Sequence, residues 1–420
     1  MSVAWQALAE RGLLISDRAV RSVRRAPRRR LALVTPWPPD QSGVAVYSRR
    51  LARALGRHVD VDVVVDGALA DREQPLDPGV RLISTSTFTA SRWLHPHDRV
   101  LYCMGNSRFH RHVYELLRER RGAVLMHDVQ LTGFFGYYAG VERPQDPLGA
   151  LVERVRRQYG ARIPPDELGT APLDAERRVA LGIYLTEEVQ RHAEQLLVHS
   201  RDARALLQAD GRGLQTRVPI SIVPHALPAA QEGAQRSGAA SSPVVVHLGA
   251  LSDEKSLAVL IRAFARFAAG QPAARLVIAG PADSSERARW QQFAGEQAPG
   301  ASVEIPGRVD ECRYRALLAR ADLAVQLRSV SNGEASGATA DCLAAGVPTI
   351  VTDLGWSGEL PADTVALTPA GVSPEALSEL MTALTLDTPR RTALSERALA
   401  LGGRWSFEHV ASEVIGALAL

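Results

Sequence analysis

The sequence predicts an α/β protein built from two doubly wound, parallel-sheet domains that face each other across a cleft. Short apolar segments alternate with loops and amphipathic helical segments along the chain, a pattern typical of parallel sheets. This alternation stops near residue 226 and starts again after residue 243. A length of 420 residues also allows two domains that each bury their own core.

The first half begins with the apolar segment 31–35 and the turn PWPPDQSG, after which apolar residues recur at helical spacing over 44–58. A second helical pattern covers 109–121, and residues 130–190 are expected to be mainly helical. The predicted strands of this half are 31–35, 59–65, 98–106, 122–128, 193–200 and 220–225.

The segment from residue 226 to residue 243 is poor in apolar side chains and rich in Gly, Ala and Ser, which indicates an interdomain linker. We assign 1–228 to an N-terminal domain, 229–243 to the linker and 244–403 to a C-terminal domain. The last residues, 404–420, form an amphipathic helix that is expected to pack back towards the N-terminal domain.

The second half repeats the alternation of strand, loop and helix. Predicted strands are 244–251, 274–280, 302–309, 322–327 and 347–353. Predicted helices are 256–268, a segment through Trp290, 312–321 and 338–345. Open parallel sheets bind ligands at the carboxyl ends of their strands, so the loops that follow these strands are the candidate site.

Composition excludes several classes of protein. A hydrophobic content of 46% and a charged content of 23% are ordinary for a folded globular chain. No apolar run is long enough to span a bilayer, and Glu10 and Arg11 interrupt the N-terminal apolar stretch, so we expect a cytoplasmic protein. Cys103, Cys312 and Cys342 are too widely spaced for a zinc or disulfide pattern, and we expect them to be buried.

Basic residues are uneven along the chain, with 33 against 25 acidic residues up to residue 229 and 16 against 21 after it. The Arg-rich segment 18–30 could face nucleic acid or anionic lipid, but no nucleic-acid-binding motif accompanies it, so nucleic acid is not expected. Peripheral contact of this segment and of the amphipathic segment 43–58 with an anionic membrane at its inner face is one alternative. A solvent-exposed basic surface is the other.

Lys255 stands out because 48 of the 49 basic residues are Arg and only this one is Lys. It lies in the loop GALSDEKS, which starts at Gly249 and leads from the first strand of the second domain into a helix. Free amides, the positive end of a helix and an ammonium group suit a diphosphate. A lysine that survives by chance on the surface is the alternative.

Glu334 and Asp341 lie seven residues apart, with a Gly-rich turn at Gly333–Gly337 and a predicted helix over 338–345. Carboxylates so placed can accept hydrogen bonds from vicinal hydroxyl groups of a ribose or a sugar. A helix-capping Glu and a surface Asp would explain the same residues without a ligand.

In the first domain, His127 follows an apolar strand, and Ser42 and Gly43 lie in a loop before a helix. Asp60 and Asp62 form a D-x-D pattern, but they alternate with valines in the middle of a strand. We therefore expect no metal there.

The motifs GALSDEK, LIRAF, LVIAG and AAGVPTIV in the second half resemble the retaining glycosyltransferases of family 4, which have the two-domain GT-B architecture. In the first half TPWPPDQSGVAVYS, MHD, VHS and VPH are similar to the same family, so the resemblance covers about Leu31 to Leu420. An LR pair, GEASG and DLGWSGELP are similar to a bacterial subgroup that elongates surface polysaccharides, often with mannose.

The resemblance implies roles for these residues. His127 would contact the donor sugar, Lys255 the diphosphate, Asp341 the ribose, and the sugar would meet Glu334 or the backbone amides of Ala335, Ser336 and Gly337. The further donor-binding residues implied are Ser42, Gly43, Gly249, Gly307, Arg308 and Arg328.

Two departures from the family pattern stand out. Ala250 occupies the position of a diphosphate-binding Arg, and Gly333 occupies the first Glu position. Arg328 or Arg308 could replace the missing Arg from a neighbouring strand end. The remaining histidines at strand ends and nearby helices are expected to be structural: His110, His112, His199 and His225.

The implied reaction moves a sugar, with retention, from a nucleotide diphosphate sugar to a hydroxyl of a glycan, a lipid-linked glycan or a natural product. The donor is expected to be GDP-mannose-like, with its base near 306–309, and domain closure would bring His127 to it; no cofactor or metal is required. A nucleotide-binding relative without turnover and a nucleotide-sugar epimerase are the alternatives. Phosphorolysis that depends on a lysine Schiff base is disfavoured because Lys255 is already assigned to phosphate.

Overall fold

The computed structural model describes residues 28–74, 77–94, 96–160, 163, 175–214, 217–229 and 242–420. The chain divides into two units. The first unit contains the described parts of Met1–Leu173, Ala180–Pro224 and Phe407–Leu420, and the second contains those of Asp174–Val179 and His225–Ser406. Most of the predicted linker, 230–241, lies outside the described residues, as do the N-terminal apolar stretch and the basic residues 18–27.

The first unit contains a seven-stranded sheet in the order β3-β2-β1-β4-β5-β6-β7, and all of its strand pairs are parallel. The strands are β1 (Arg30–Val34), β2 (Asp60–Val65), β3 (Val80–Ser84), β4 (Arg99–Met104), β5 (Gly122–Met126), β6 (Ala193–Val198) and β7 (Ile220–Ile222). The six predicted strands are confirmed, but β3 was not predicted. It is a half-buried edge strand in which Arg81 and Ser84 interrupt the apolar pattern.

The second unit contains a six-stranded parallel sheet in the order β10-β9-β8-β11-β12-β13. Its strands are β8 (Val244–Leu248), β9 (Arg275–Ala279), β10 (Ser302–Gly307), β11 (Leu323–Gln326), β12 (Thr349–Thr352) and β13 (Ala366–Thr368). Five of the six were predicted, and β13, an edge strand of three residues, was not.

Sixteen α-helices lie within the described residues. They are α1 (Gly43–Leu55), α2 (Thr85–Leu94), α3 (Arg111–Glu119), α4 (Thr132–Glu142), α5 (Pro147–Tyr159), α6 (Ala175–Ala180), α7 (Glu187–His192), α8 (Arg201–Asp210), α9 (Leu257–Gly270), α10 (Ser284–Gln297), α11 (Glu311–Arg320), α12 (Gly337–Ala344), α13 (Gly355–Gly358), α14 (Pro374–Leu386), α15 (Thr388–Arg404) and α16 (Phe407–Ala417). Among the described residues, no helix is both long enough and apolar enough to cross a membrane.

The closing helix α16 belongs to the first unit, where it packs against α1. The ring of Phe407 lies 5.0 Å from that of Tyr47, and Arg57 forms an ion pair with Glu408 at 2.9 Å. The chain therefore leaves the first unit, forms the second and returns to complete the core of the first.

Asp62 is one of the buried charged residues of the first unit, with a side chain only 3% exposed. Its carboxylate accepts hydrogen bonds from Arg30 at 2.6 Å, from His97 at 2.8 Å and from Arg81. Burial by itself would raise the pKa of Asp62, but the hydrogen bonds and positive charges hold this pKa well below its usual range. The D-x-D pattern thus supplies a counter-ion that joins β1, β2 and β3.

Three glycines close the carboxyl ends of the strands in the second unit. The amide of Gly249 donates to Ala279 O at 3.0 Å, and the amide of Gly280 donates to Gly307 O at 3.0 Å. A Cβ at Gly280 would lie 1.7 Å from the carbonyl oxygen of Gly249, so only glycine allows this approach.

Two of the three cysteines are buried as expected, but Cys312 is exposed, which corrects the prediction for that residue. It lies in the first turn of α11 on the solvent side, whereas Leu318 of the same helix is buried. Cysteine spacing does not reveal which side of this short helix faces the solvent, so the exposure of Cys312 did not follow from it.

We expect Asp62→Asn to lower the free energy of unfolding at pH 7 by about 3 kcal/mol, because it removes the buried counter-ion of the half-buried Arg30 and Arg81. The folded-state pKa of Asp62 lies below its ordinary value of 3.8, so its contribution is present above that pH and is lost as the pH falls. The difference in free energy of unfolding between wild type and Asp62→Asn, measured by urea denaturation, should therefore be smaller at pH 3 than at pH 7. Asp60→Asn, at a side chain 36% exposed, is the control and should cost less than about 1 kcal/mol.

Gly280→Ala should destabilise the second unit by about 3 kcal/mol, because the added Cβ would overlap the backbone of Gly249. Gly295→Ala is the matched control: it lies in α10, its Cβ would meet open space, and the change should stabilise by about 0.5 kcal/mol. If the two substitutions changed the free energy of unfolding equally in chemical denaturation, the close approach of Gly280 to Gly249 would be contradicted.

Candidate functional site

Three loops follow strands of the second unit and carry most of the predicted donor-binding residues. We name them the β8 loop (249–256), the β10 loop (308–310) and the β11 loop (327–336). Because the strands are parallel, the three loops leave the sheet at the same edge.

Lys255 ends a short 3₁₀ turn, Asp253–Lys255, in the β8 loop. Its amide donates to Ser252 O at 3.0 Å, and Ser256, with φ of 50°, turns the chain into α9. The sole lysine is half-buried and lies two residues before the start of α9. This is the position that the sequence predicted.

Glu254 connects the β8 loop to the β11 loop. Its backbone oxygen accepts from the Ser329 amide at 2.9 Å, and its carboxylate accepts from Asn332 Nδ2 at 3.1 Å. These bonds hold the segment that carries Lys255 beside the segment that carries Arg328. Neither Glu254 nor Asn332 was identified from the sequence, because no local motif marks them.

Arg328 and Glu334 form an ion pair within the β11 loop, with side chains only 11% and 13% exposed. The second carboxylate oxygen of Glu334 accepts from the Asn332 amide at 3.0 Å, and the Arg328 amide donates to Thr352 Oγ1 at 3.0 Å. The two oxygens of Glu334 are thus both engaged by its own loop. Arg308, the other candidate to replace the missing Arg, is exposed.

His247 lies at the end of β8 and is completely buried. Its Nδ1 donates to Val325 O at 2.9 Å. Burial lowers the pKa of His247 to about 4, and the charges of Lys255 and Arg328 act in the same direction. The imidazole is therefore neutral at pH 7, and the two cations lie close enough to the same buried ring to influence it.

The start of α12 lies next to the β8 loop. Ser336 caps the helix by accepting from the Thr339 amide at 3.2 Å, and Gly337 is exposed. A Cβ at Gly249 would lie 3.9 Å from the Cβ of Ala338. The predicted helix is confirmed and begins at Gly337, whereas the predicted turn is a bend at Gly333, which has a positive φ of 71°.

Asp341 lies one helical turn beyond Ala338 and is half-buried. Its Oδ2 accepts from the Tyr314 hydroxyl at 2.9 Å. In the same unit, Gly307 ends β10 with φ of 77°, and Ala335 packs against a hydrophobic cluster that includes Trp356. The contact between Tyr314 and Asp341 was not predicted.

In the first unit, Ser42 caps α1 by accepting from the Val44 amide at 3.2 Å. Gly43 is exposed, and a Cβ there would meet no atom within 4 Å. The loop therefore leads into an exposed helix N-terminus, and a role of this loop in binding a ligand stays a prediction.

His127 follows β5, and its amide donates to Met104 O at 2.8 Å. Its ring lies 4.9 Å from that of Tyr47 and 5.5 Å from that of His199. Burial lowers the pKa of His199 to about 4, so that ring is neutral at pH 7. Tyr47 and His199 thus hold His127 in an aromatic cluster.

The other histidines have structural contacts. Burial lowers the pKa of His110 to about 3. His112 Nε2 lies 3.2 Å from Thr35 O, and the ring centroids of His225 and Trp356 lie 5.5 Å apart. Within the described ranges, no group of three or more His, Cys, Asp or Glu side chains is arranged to hold a metal ion.

Comparison with known proteins gives a family match for part of the chain. Residues 232–400 match the model of the family described as "Glycosyl transferases group 1". No curated protein matches the chain.

Among solved structures, sucrose-phosphate synthase from Thermosynechococcus elongatus is similar, with a TM-score of 0.63 and 18% identity over 93% of this chain and 98% of that one. HepE from Anabaena in complex with UDP has a TM-score of 0.60 and 16% identity over 93% and 99%. WaaG, a glycosyltransferase involved in lipopolysaccharide biosynthesis, has a TM-score of 0.57 and 15% identity over 92% and 99%.

At these identities the structural likeness shows the fold, which is GT-B as predicted. The family match covers residues 232–400, which is less than half of the chain.

Proposed function

We propose that the protein is a retaining glycosyltransferase that moves a sugar from a nucleotide diphosphate sugar to an acceptor hydroxyl without a metal. The diphosphate is held by Lys255, Arg328 and the amides at the start of α12. Asp341 binds the ribose, and the base lies near 306–309.

The observation that carries this proposal is the convergence of two cations at one sheet edge. Lys255 and Arg328 come from loops that Glu254 ties together, and both act on the same buried His247. The neutral imidazole adds no charge, so the positive charge at this edge comes from Lys255 and from Arg328, whose charge Glu334 partly offsets. Fixed cations in a partly desolvated site stabilise a diphosphate leaving group, which is the role that a metal has in other transferases.

In this proposal, the role of Glu334 is to orient the Arg328 guanidinium. A carboxylate bonded to a guanidinium and to a backbone amide keeps that guanidinium in one orientation. Arg328 thereby replaces the Arg that is missing at Ala250, and the sugar is left to the amides of Ala335 to Gly337. The resemblance to family 4 assigns His127 of the first unit to the donor sugar, and this stays part of the proposal.

The base and the sugar are open within the proposal. The mannose-transferring subgroup favours GDP-mannose, whereas the HepE structures were solved with UDP, with UDP and glucose, and with UDP-glucose. The acceptor is proposed to be a glycan, a lipid-linked glycan or a natural product. Contact with an anionic membrane receives little support from α1, because Arg49, Arg53 and Arg57 each pair with an acidic side chain of the first unit.

Thermal-shift measurements without metal should show that GDP or UDP stabilises the wild type and that Lys255→Ala loses most of this effect. Loss of a charged hydrogen bond to phosphate weakens binding by about tenfold to a hundredfold. Arg266→Ala is the matched control, since it removes one cation from α9 at a side chain 56% exposed. It should bind the nucleotide like the wild type.

Incubation with the sugar donor of the matching nucleotide then tests turnover. We expect slow release of nucleoside diphosphate with the sugar in its retained anomeric form. Binding without release would favour the inactive relative, and a changed sugar still attached to the nucleotide would identify an epimerase. Binding that is equal in wild type and Lys255→Ala would overturn the assigned diphosphate site.

Arg328→Ala should lower the affinity for the nucleoside diphosphate by about tenfold and leave that for the free nucleoside unchanged, because only the former carries phosphate. Calorimetry measures the affinity for the nucleoside diphosphate, and ligand-observed NMR measures the affinity for the free nucleoside.

The double variant Arg328→Ala/Glu334→Ala controls for the carboxylate that the single substitution leaves buried and unpaired. If Arg328 contacts phosphate, the double variant binds as weakly as the single one. Recovery of full affinity in the double variant would mean that Arg328 serves only to neutralise Glu334.

A further inference from the structure

The contact between Tyr314 and Asp341 joins two neighbouring helices of the second unit. Tyr314 lies on α11 and Asp341 on α12, and the hydroxyl lies 2.9 Å from Oδ2 of the carboxylate. Behind this contact the two helices share one hydrophobic cluster with Leu318 and Cys342. The core thus sets the spacing at which the phenol reaches the carboxylate.

Both ends of the contact are anchored by the backbone. Asp310 caps α11 by accepting from the Arg313 amide at 2.7 Å, which fixes the turn that carries Tyr314. Ser336 caps α12 in the same way, five residues before Asp341. A tyrosine has only two side-chain torsions, so a hydroxyl held on a capped helix is a well-placed donor.

The side chains of both residues are half-buried, so a ligand can reach the pair. Asp341 has a short side chain, and a half-exposed carboxylate without a fixed donor can adopt several orientations. A hydrogen bond from Tyr314 to Oδ2 selects one of them. It does not exhaust the acceptor capacity of the carboxylate, because its two oxygens offer about four lone-pair sites.

We propose that Tyr314 is a positioning residue that orients Asp341 towards the vicinal hydroxyl groups of a ribose. The inference rests on the proposed function, because it takes a ribonucleoside diphosphate as the ligand. It adds that the chain selects ribonucleotides over deoxyribonucleotides through this pair. A site built to bond a hydroxyl group binds an analogue that lacks it more weakly, because the half-buried acceptor loses that donor.

The test compares UDP and GDP with their 2′-deoxy counterparts by calorimetry, using wild type, Tyr314→Phe and Asp341→Asn. For the base that binds, the wild type should prefer the ribonucleotide by about tenfold, the value of one hydrogen bond to a charged group. Tyr314→Phe should reduce this ratio to about threefold or less by weakening the ribonucleotide alone. Tyr137→Phe, the same loss of one oxygen at an exposed tyrosine in the first unit, should leave the ratio unchanged.

The double variant Tyr314→Phe/Asp341→Asn separates positioning from packing. If Tyr314 acts through Asp341, the double variant has the same ratio as Asp341→Asn alone, so the two effects are not additive. Additive effects, or equal weakening of the ribonucleotide and deoxyribonucleotide by Tyr314→Phe, would overturn the inference while leaving the proposed function intact. Absence of binding of either diphosphate to the wild type would overturn the proposed function and this inference with it.

Discussion

The parallel pairing of β8 with β11 is the constraint on which the candidate site depends. Because the two strands run in the same direction, the loops that follow them leave the sheet side by side. Glu254 can then bond to Ser329 and Asn332, and these bonds place Lys255 near Arg328. The glycines at the ends of β8, β9 and β10 allow the backbone to close tightly at this edge.

Asp62 and Arg328 are charged side chains with little exposure, and each has a partner of opposite charge. Asp62 is buried because three donors surround it, and the Arg328 guanidinium is nearly buried because Glu334 accepts from it. An oriented charge needs little rearrangement when a ligand arrives, which is how a preorganised site lowers the free energy of a charged leaving group. The compact ammonium of Lys255 adds a second charge in an otherwise arginine-rich chain.

Much of the fold could be predicted because its strands and helices carry local patterns. The exceptions have local reasons. β3 is an edge strand with polar residues, β13 has three residues, and the helices α14 and α15 follow the last recognised motif of the second half. Cys312 was expected to be buried because cysteine usually is, but its burial depends on which side of α11 faces the sheet.

The candidate site likewise contains residues that the sequence indicated and contacts that it did not. Lys255, His127 and the Gly-rich segment were selected as candidates from residue type and from their positions after strands, and Asp341 from its spacing to Glu334. The partners of the two carboxylates were not recognised: the sugar was expected to meet Glu334 or the neighbouring backbone amides, and the bonds of Glu334 to Arg328 and Asn332 were not predicted.

The sequence by itself determined the two sheets, the strand-end loops and the residues that those loops carry, because hydrophobic periodicity and turn residues act over short stretches of chain. Only the tertiary structure decided that Tyr314 meets Asp341 and that Glu254 joins two loops. Such contacts follow from strand order and from the packing of helices on a shared core. Neither is encoded in any one segment, since each depends on elements that are distant along the chain.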